Sequence, residues 1–159
     1  MSVDVDIKVY FDFGNAILDA EGNAILDAED QEILDSGFSN ASVDVLTGVN
    51  YSRGNFGRGV KDRVGDIGQA SFRLKNSTAN SAGTAGYYSP DHSSVRRDFS
   101  LDTNVRISMT EGVTEHEDWE GRITRIKPAF GSDRERSTDI TCEDWMADAA
   151  RDTVRGITV

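Results

Sequence analysis

Several residue types are scarce in this chain, and each scarcity excludes something. There is one cysteine and there are two prolines and two histidines in 159 residues. Cys142 has no partner for an internal disulfide, and with only His92 and His116 beside it the four-ligand set of a structural zinc site cannot be filled. Apolar stretches run to only a few residues, too short for a membrane-spanning helix. The opening Met1-Ser2-Val3-Asp4 shows no basic-then-apolar secretory pattern. Bases are scarce too, with 17 Lys plus Arg against 28 Asp plus Glu and a formal net charge of −11. That balance argues against a coat for nucleic acid or anionic lipid, because such binding draws on Lys and Arg displacing counterions.

What is present suits one folded domain of ordinary size. Apolar residues make up 37% of the chain, including seven Phe, four Tyr and two Trp, enough for one core. Fifteen Gly beside two Pro point to a β-dominated fold whose turns rest on Gly, Asn and Asp. The charge is unevenly spread. The first fifty residues hold 11 acids and only Lys8, whereas residues 51–159 hold 17 acids and 16 bases, so the acidity belongs to the N-terminal third.

Val3, Val5, Ile7, Val9 and Phe11 alternate with Asp4, Asp6, Lys8 and Tyr10, the period of a strand with one apolar face. An eight-residue repeat follows: Gly14-Asn15-Ala16-Ile17-Leu18-Asp19-Ala20-Glu21, its identical copy at 22–29, and a degenerate third copy at 30–37. Gly-Asn at the head of two copies interrupts any helix and favours strand-and-turn units, while an extended duplicated arm fits equally well. Asp19, Glu21 and Asn23 fit the start of a calcium loop, but Ala24 takes its glycine position and Asp30 the place of its closing Glu, so no metal is expected.

Further strands are predicted at 43–51, 68–75, 104–109, 118–127 and 138–142, with Ile126 out of phase as if across a bulge. Residues 76–102, rich in Ser, Thr, Gly and Asn, read as a long surface loop suited to assembly. A short helix is predicted near 144–155. Thr141 to Asp144 resembles a capping box, and Trp145/Met146, Ala149/Ala150 and Thr153/Val154 recur at helical spacing before Gly156. Ile157-Thr158-Val159 then reads as the start of another strand, so the chain is expected to be part of a longer protein or to end by pairing with a neighbour.

Catalytic patterns are weak. There is no phosphate loop, zinc-protease helix or nucleophile elbow. Asp91-His92-Ser93 has the letters of a serine triad, but sequence neighbours do not generally reach its relay geometry. Glu117 and Glu120 supply a possible carboxylate pair for glycoside hydrolysis, yet acids around Trp119 before a strand read more simply as a solvated hairpin. Cys142, in phase with Ile140, reads as a small buried residue. No enzyme activity and no cofactor are expected.

One resemblance emerges from the later segments. Tyr51-Ser52-Arg53-Gly54, Asp62-Arg63-Val64, the run from Gly68 to Asn76 and Tyr88-Ser89-Pro90 resemble the opening barrel of tail-tip and baseplate hub proteins of tailed bacteriophages and related tail-like particles. Trp119-Glu120-Gly121-Arg122-Ile123 through Pro128, then Ile140-Thr141-Cys142-Glu143-Asp144-Trp145-Met146, continue it. The resemblance covers roughly residues 43–155, and the octapeptide repeat has no counterpart in it. It implies a split β-barrel with one short C-terminal helix, and a ring of copies joining the tail tube to distal tail proteins in the virion, assembled in the host cytoplasm. It implies no catalytic residues, no specific DNA binding as DNA passes and no membrane segment. Residues 1–42 would form an N-terminal strand and an acidic octapeptide-repeat arm and 43–159 the barrel, with Tyr88, Pro90, Trp119, Gly121, Ile123, Cys142 and Trp145 serving the core or assembly. The competing expectation is a carbohydrate-binding β domain for host surface glycans, with Trp119, Tyr87 and Tyr88 as stacking platforms.

Overall fold

Alternation builds the sheet. Between Gln69 and Lys75, Ala70, Phe72 and Leu74 are buried while Gln69, Ser71 and Arg73 are exposed, which gives a strand one dry and one wet face. The computed structural model describes residues 5–13, 15–16, 19–21, 23, 25–26, 34–35, 37–53, 67–129 and 136–151. Within them the order is β1 (Val5–Asp12), β2 (Asn15–Ala16), β3 (Leu34–Asp35), β4 (Phe38–Asn40), a 3-10 turn (Ser42–Asp44), β5 (Val45–Ser52), β6 (Gln69–Lys75), β7 (Asn104–Glu111), β8 (Thr114–Ala129), β9 (Ser137–Glu143) and α1 (Met146–Arg151). The fold is mainly β, as expected.

Seven strands form one sheet in the order β4-β1-β7-β8-β9-β6-β5, every neighbouring pair antiparallel. β4 and β5 are its two edges, yet only residues 41–44 lie between them. Laid flat, six strand spacings of about 4.8 Å separate those edges by roughly 29 Å. The five Cα steps from Asn40 to Val45 reach at most about 19 Å. The sheet therefore curls into a half-barrel, and the short link bridges its open side.

Counting antiparallel steps shows that β4 and β5 run in the same direction, so residues 38–52 form one descending path that changes partners. It pairs first with β1, through Tyr10 opposite Asn40, and then with β6, through Val45 opposite Leu74. At the crossover, the Ala41 amide donates to the Val9 carbonyl at 2.8 Å and the Val9 amide to Ser42 Oγ at 2.9 Å. Below it, β1 and β5 have no ladder between them among the described residues, which makes this a split barrel. The strand expected from Val43 begins at Val45, because Ser42–Asp44 turn to make the switch.

Inward residues of all the long strands meet in one core, including Val9, Phe11, Phe72, Leu74, Val105, Ile107, Ile123, Ile140 and Cys142. Residues 76–103 also enter that core, a correction to the surface loop expected there. Tyr88 is fully buried, Phe99 nearly so, and Phe99 meets both Tyr88 and Phe11 edge-to-face, while Phe11 stacks on Phe13. Polar groups fasten the segment. Asn76 Oδ1 accepts from the Tyr88 amide at 2.8 Å, Asn76 Nδ2 donates to Ser89 Oγ at 2.6 Å, and Thr138 Oγ1 donates to the Tyr88 carbonyl at 2.8 Å. Gly86 takes a left-handed φ of +82°, and the His92 ring fills the space where any side chain at 86 would lie.

The sheet also draws β1 and β4 from residues 1–42, so the barrel does not begin at 43. Within the repeat, Asn15 pairs with Asp35 and Ala16 with Leu34, so the first and third copies lie antiparallel as strands. Asp19 Oδ1 accepts the Glu21 and Asn23 amides at 3.0 and 2.8 Å, a turn whose carboxylate is already engaged by N–H donors. Most of the repeat, Asp62-Arg63-Val64 and residues 152–159, with the end of the expected helix and the strand beyond it, lie outside the described residues. No helix among the described residues is long and apolar enough to cross a membrane.

Candidate functional site

β8 organises the surface that holds most of the residues singled out above. Its first half pairs with β7 and its second with β9, and each ladder slips by one residue. The first slip leaves Asp118 as the extra residue beside Trp119. Its carboxylate takes the Tyr51 hydroxyl and the Arg53 guanidinium, while Arg53 Nε also donates to the Asp118 carbonyl at 3.0 Å. A bulge has thus re-aimed an acid to tie the end of β5 to a strand that is not its sheet neighbour. The second slip, between Ile123 and Arg125, is the irregularity that puts Ile126 out of phase.

Trp119 is 4% exposed and faces the core. Its indole packs on Gly121, where any Cβ would collide with both that ring and the Glu143 carbonyl of β9, so the close approach of β8 and β9 requires glycine. The indole N–H is buried without an acceptor among the described residues. Trp119 therefore serves through shape and apolar area. Ile123 is fully buried opposite Cys142, and burial pushes the Cys142 thiol well above its usual range, which leaves it unreactive. At Gly68 a side chain would displace the Asp144 carboxylate.

Helix entry differs from the expected capping box. Thr141 and Glu143 belong to β9, and Asp144 does the capping: its Oδ1 accepts the Met146 amide at 3.0 Å and its Oδ2 the Gly68 amide at 2.9 Å. Starting the helix at Met146 leaves Ala147 as its buried residue, and Trp145, expected on the apolar face, is 71% exposed. The indole borders a groove with Asn104 of β7, Glu120, Gly121 and Arg122 of β8, and Asp148 of α1. Arg122 is ion-paired to Asp148 and lies 3.6 Å from Asp102, and Glu120 accepts from Arg106 Nη2 at 3.3 Å.

Tyr88 and Pro90 are elsewhere. Tyr88 Oη donates to Asp44 at 2.6 Å, and the same buried carboxylate accepts from the amide and hydroxyl of Ser81 at 2.7 and 2.6 Å. Burial, reinforced by that carboxylate, raises the Tyr88 phenol far above its ordinary value. Asp44 therefore joins the crossover turn to the 76–103 segment, a buried role that nothing in its sequence context signalled. Pro90 lies exposed in that segment.

The weaker chemical patterns are accounted for by their contacts. His92 Nδ1 accepts the Ser94 amide at 3.1 Å, which occupies the nitrogen a triad carboxylate would orient. Glu117 and Glu120 are both exposed and both engaged by Arg106. Glu115 is held below the usual carboxylate range by hydrogen bonds from Tyr10 first and Lys8 next. Among the described residues no three His, Cys, Asp or Glu side chains gather as a metal site. No protein-family model matches the chain, and no curated protein matches it.

Proposed function

We propose that this chain is a non-enzymatic structural component of a phage tail tip or baseplate hub, or of a related tail-like particle. Copies of it form a ring joining the tail tube to distal tail proteins, and DNA passes without specific binding. The observation that carries this reading is the split in the barrel. Where residues 38–52 leave β1 for β6, no ladder among the described residues covers the outer edge of β5 over Val45–Ser52 or that of β1 below Val9. Unpaired edges are templates for strand addition. They are also two different edges, and head-to-tail pairing of unlike surfaces is what closes rings. Val43 and Leu46, 64% and 43% exposed, set apolar side chains beside the β5 edge. The resemblance of residues 43–155 to hub barrels supports the same reading.

Negative-stain electron microscopy of the full chain, alone and mixed with a tail-tube protein, tests it. Discrete rings, or rings seated on tube ends, are expected. A chain that stays monomeric and ignores the tube would overturn it. The carbohydrate alternative, as drawn from Trp119, Tyr87 and Tyr88, loses two platforms, since Trp119 and Tyr88 are buried.

A further inference from the structure

We propose that the groove beside Trp145 is a binding site for a neutral pyranose ring of a glycan, a function that goes beyond ring assembly and does not depend on it. The chain has two tryptophans. One is buried, and the other is left 71% exposed in the turn before α1, two residues from the buried Ala147. Leaving so large an apolar surface in water forfeits about 25 cal/mol for every Å² not covered. A flat apolar face set among polar groups is what a sugar ring requires, because a pyranose presents C–H groups on its faces and hydroxyls around its rim.

The surrounding groups match that rim. Asn104 offers both an amide donor and a carbonyl acceptor, Glu120 and Asp148 accept, and Arg122 donates. Sugar hydroxyls donate and accept at once, so a mixed set of this kind suits them, as it suits small-ligand sites in general. Three of these groups are already fixed. Arg122 is held by Asp148 with Asp102 beyond it, and Glu120 is held by Arg106, so little side-chain freedom is lost when a ligand arrives. At Gly121 the groove meets bare backbone, since any side chain there would point inward against Trp119 and the Glu143 carbonyl.

Charge selects the class of sugar. Glu120, Asp148 and Asp102 outnumber Arg122 and Arg106 by three to two, so a sialic acid or a phosphorylated sugar meets net repulsion while a neutral hexose does not. An apolar protein knob is also disfavoured, because covering the Arg122 ion pairs would strip their water without replacing it.

The test is a printed array of neutral, sialylated and phosphorylated oligosaccharides probed with the full chain, Trp145→Ala and Trp145→Phe, followed by calorimetric titration of the best-retained glycan. The expected result is retention on neutral glycans, a loss of about tenfold or more in affinity for Trp145→Ala and partial recovery in Trp145→Phe. Unchanged thermal melts would confirm that both variants are folded. Retention of no glycan, retention of acidic glycans only, or equal retention of Trp145→Ala would overturn the proposal. Particle mass read on the same samples separates the two ideas. A monomeric wild type that binds neutral glycans overturns the ring alone, and a Trp145→Ala chain that loses its assembly while the wild type binds no glycan makes this groove a subunit contact.

Discussion

The two tryptophans lie on either side of the same stretch of β8 and have opposite fates. Trp119 sits beneath Gly121 in the core, and Trp145 stands beside Gly121 at the outer groove. Strand alternation buried the first, since Trp119, Gly121 and Ile123 share the inward phase of a strand whose partners supply the rest of the core. Helical spacing offered the second a face, but the helix begins only after Asp144 has bound the Gly68 and Met146 amides, and the buried position falls to Ala147. An apolar residue in a sheet inherits its neighbours' phase. One at the mouth of a short helix depends on where the cap falls.

The sharpest way to break this contrast is to truncate the inner ring. Trp119→Ala should cost about 3–5 kcal/mol, in the range of large aromatic truncations in cores, as read by urea denaturation. Trp119→Phe should cost less, because the indole N–H makes no hydrogen bond worth keeping. Equal losses for the two variants would show that the N–H has a partner after all.

Next in size is Tyr88→Phe, which strips one donor from the buried Asp44 carboxylate and should cost about 1.5–3 kcal/mol, the range for hydrogen bonds to charged groups. Tyr88 also predicts the alkaline limit. Its folded-state value is raised, so its contribution is complete below the ordinary tyrosine pKa and declines as pH climbs above it toward the folded value. A wild-type melting temperature that falls above about pH 10, with a shallower fall in Tyr88→Phe, is the expected pair of curves.

The smallest effect is expected at the outer ring. Trp145→Ala should change stability by no more than about 0.5 kcal/mol, as surface substitutions do. A core-sized loss there would place the indole against a partner surface within the chain.

The same contrast marks what the sequence made visible. Strands such as Gln69–Lys75 and Ser137–Glu143 show because burial alternates along them, and the β8 bulge shows because Ile126 breaks that alternation. Residues 76–103 do not show, since Asn76, Tyr88, Phe99 and Thr103 are buried without any period, Phe99 by ring contacts and Asn76 and Thr103 through side-chain hydrogen bonds to a backbone of loop-like composition. The crossover at Ser42–Asp44 does not show either, because its partners Val9, Ser81 and Tyr88 are far along the chain. At the groove, Gly121 and Trp145 stand out in the sequence, whereas Asn104 and Asp148 reach it only through the placement of β7 and α1.

That crossover leaves, among the described residues, the edges on which the proposed ring depends, and the light-scattering mass of the wild type against Leu46→Lys probes it most directly. Leu46 is exposed on the β5 edge, where a lysine opposes strand addition. The account predicts a closed multimer for the wild type and a folded monomer for Leu46→Lys. A wild type that is monomeric at every concentration, or a multimer indifferent to the lysine, would contradict it.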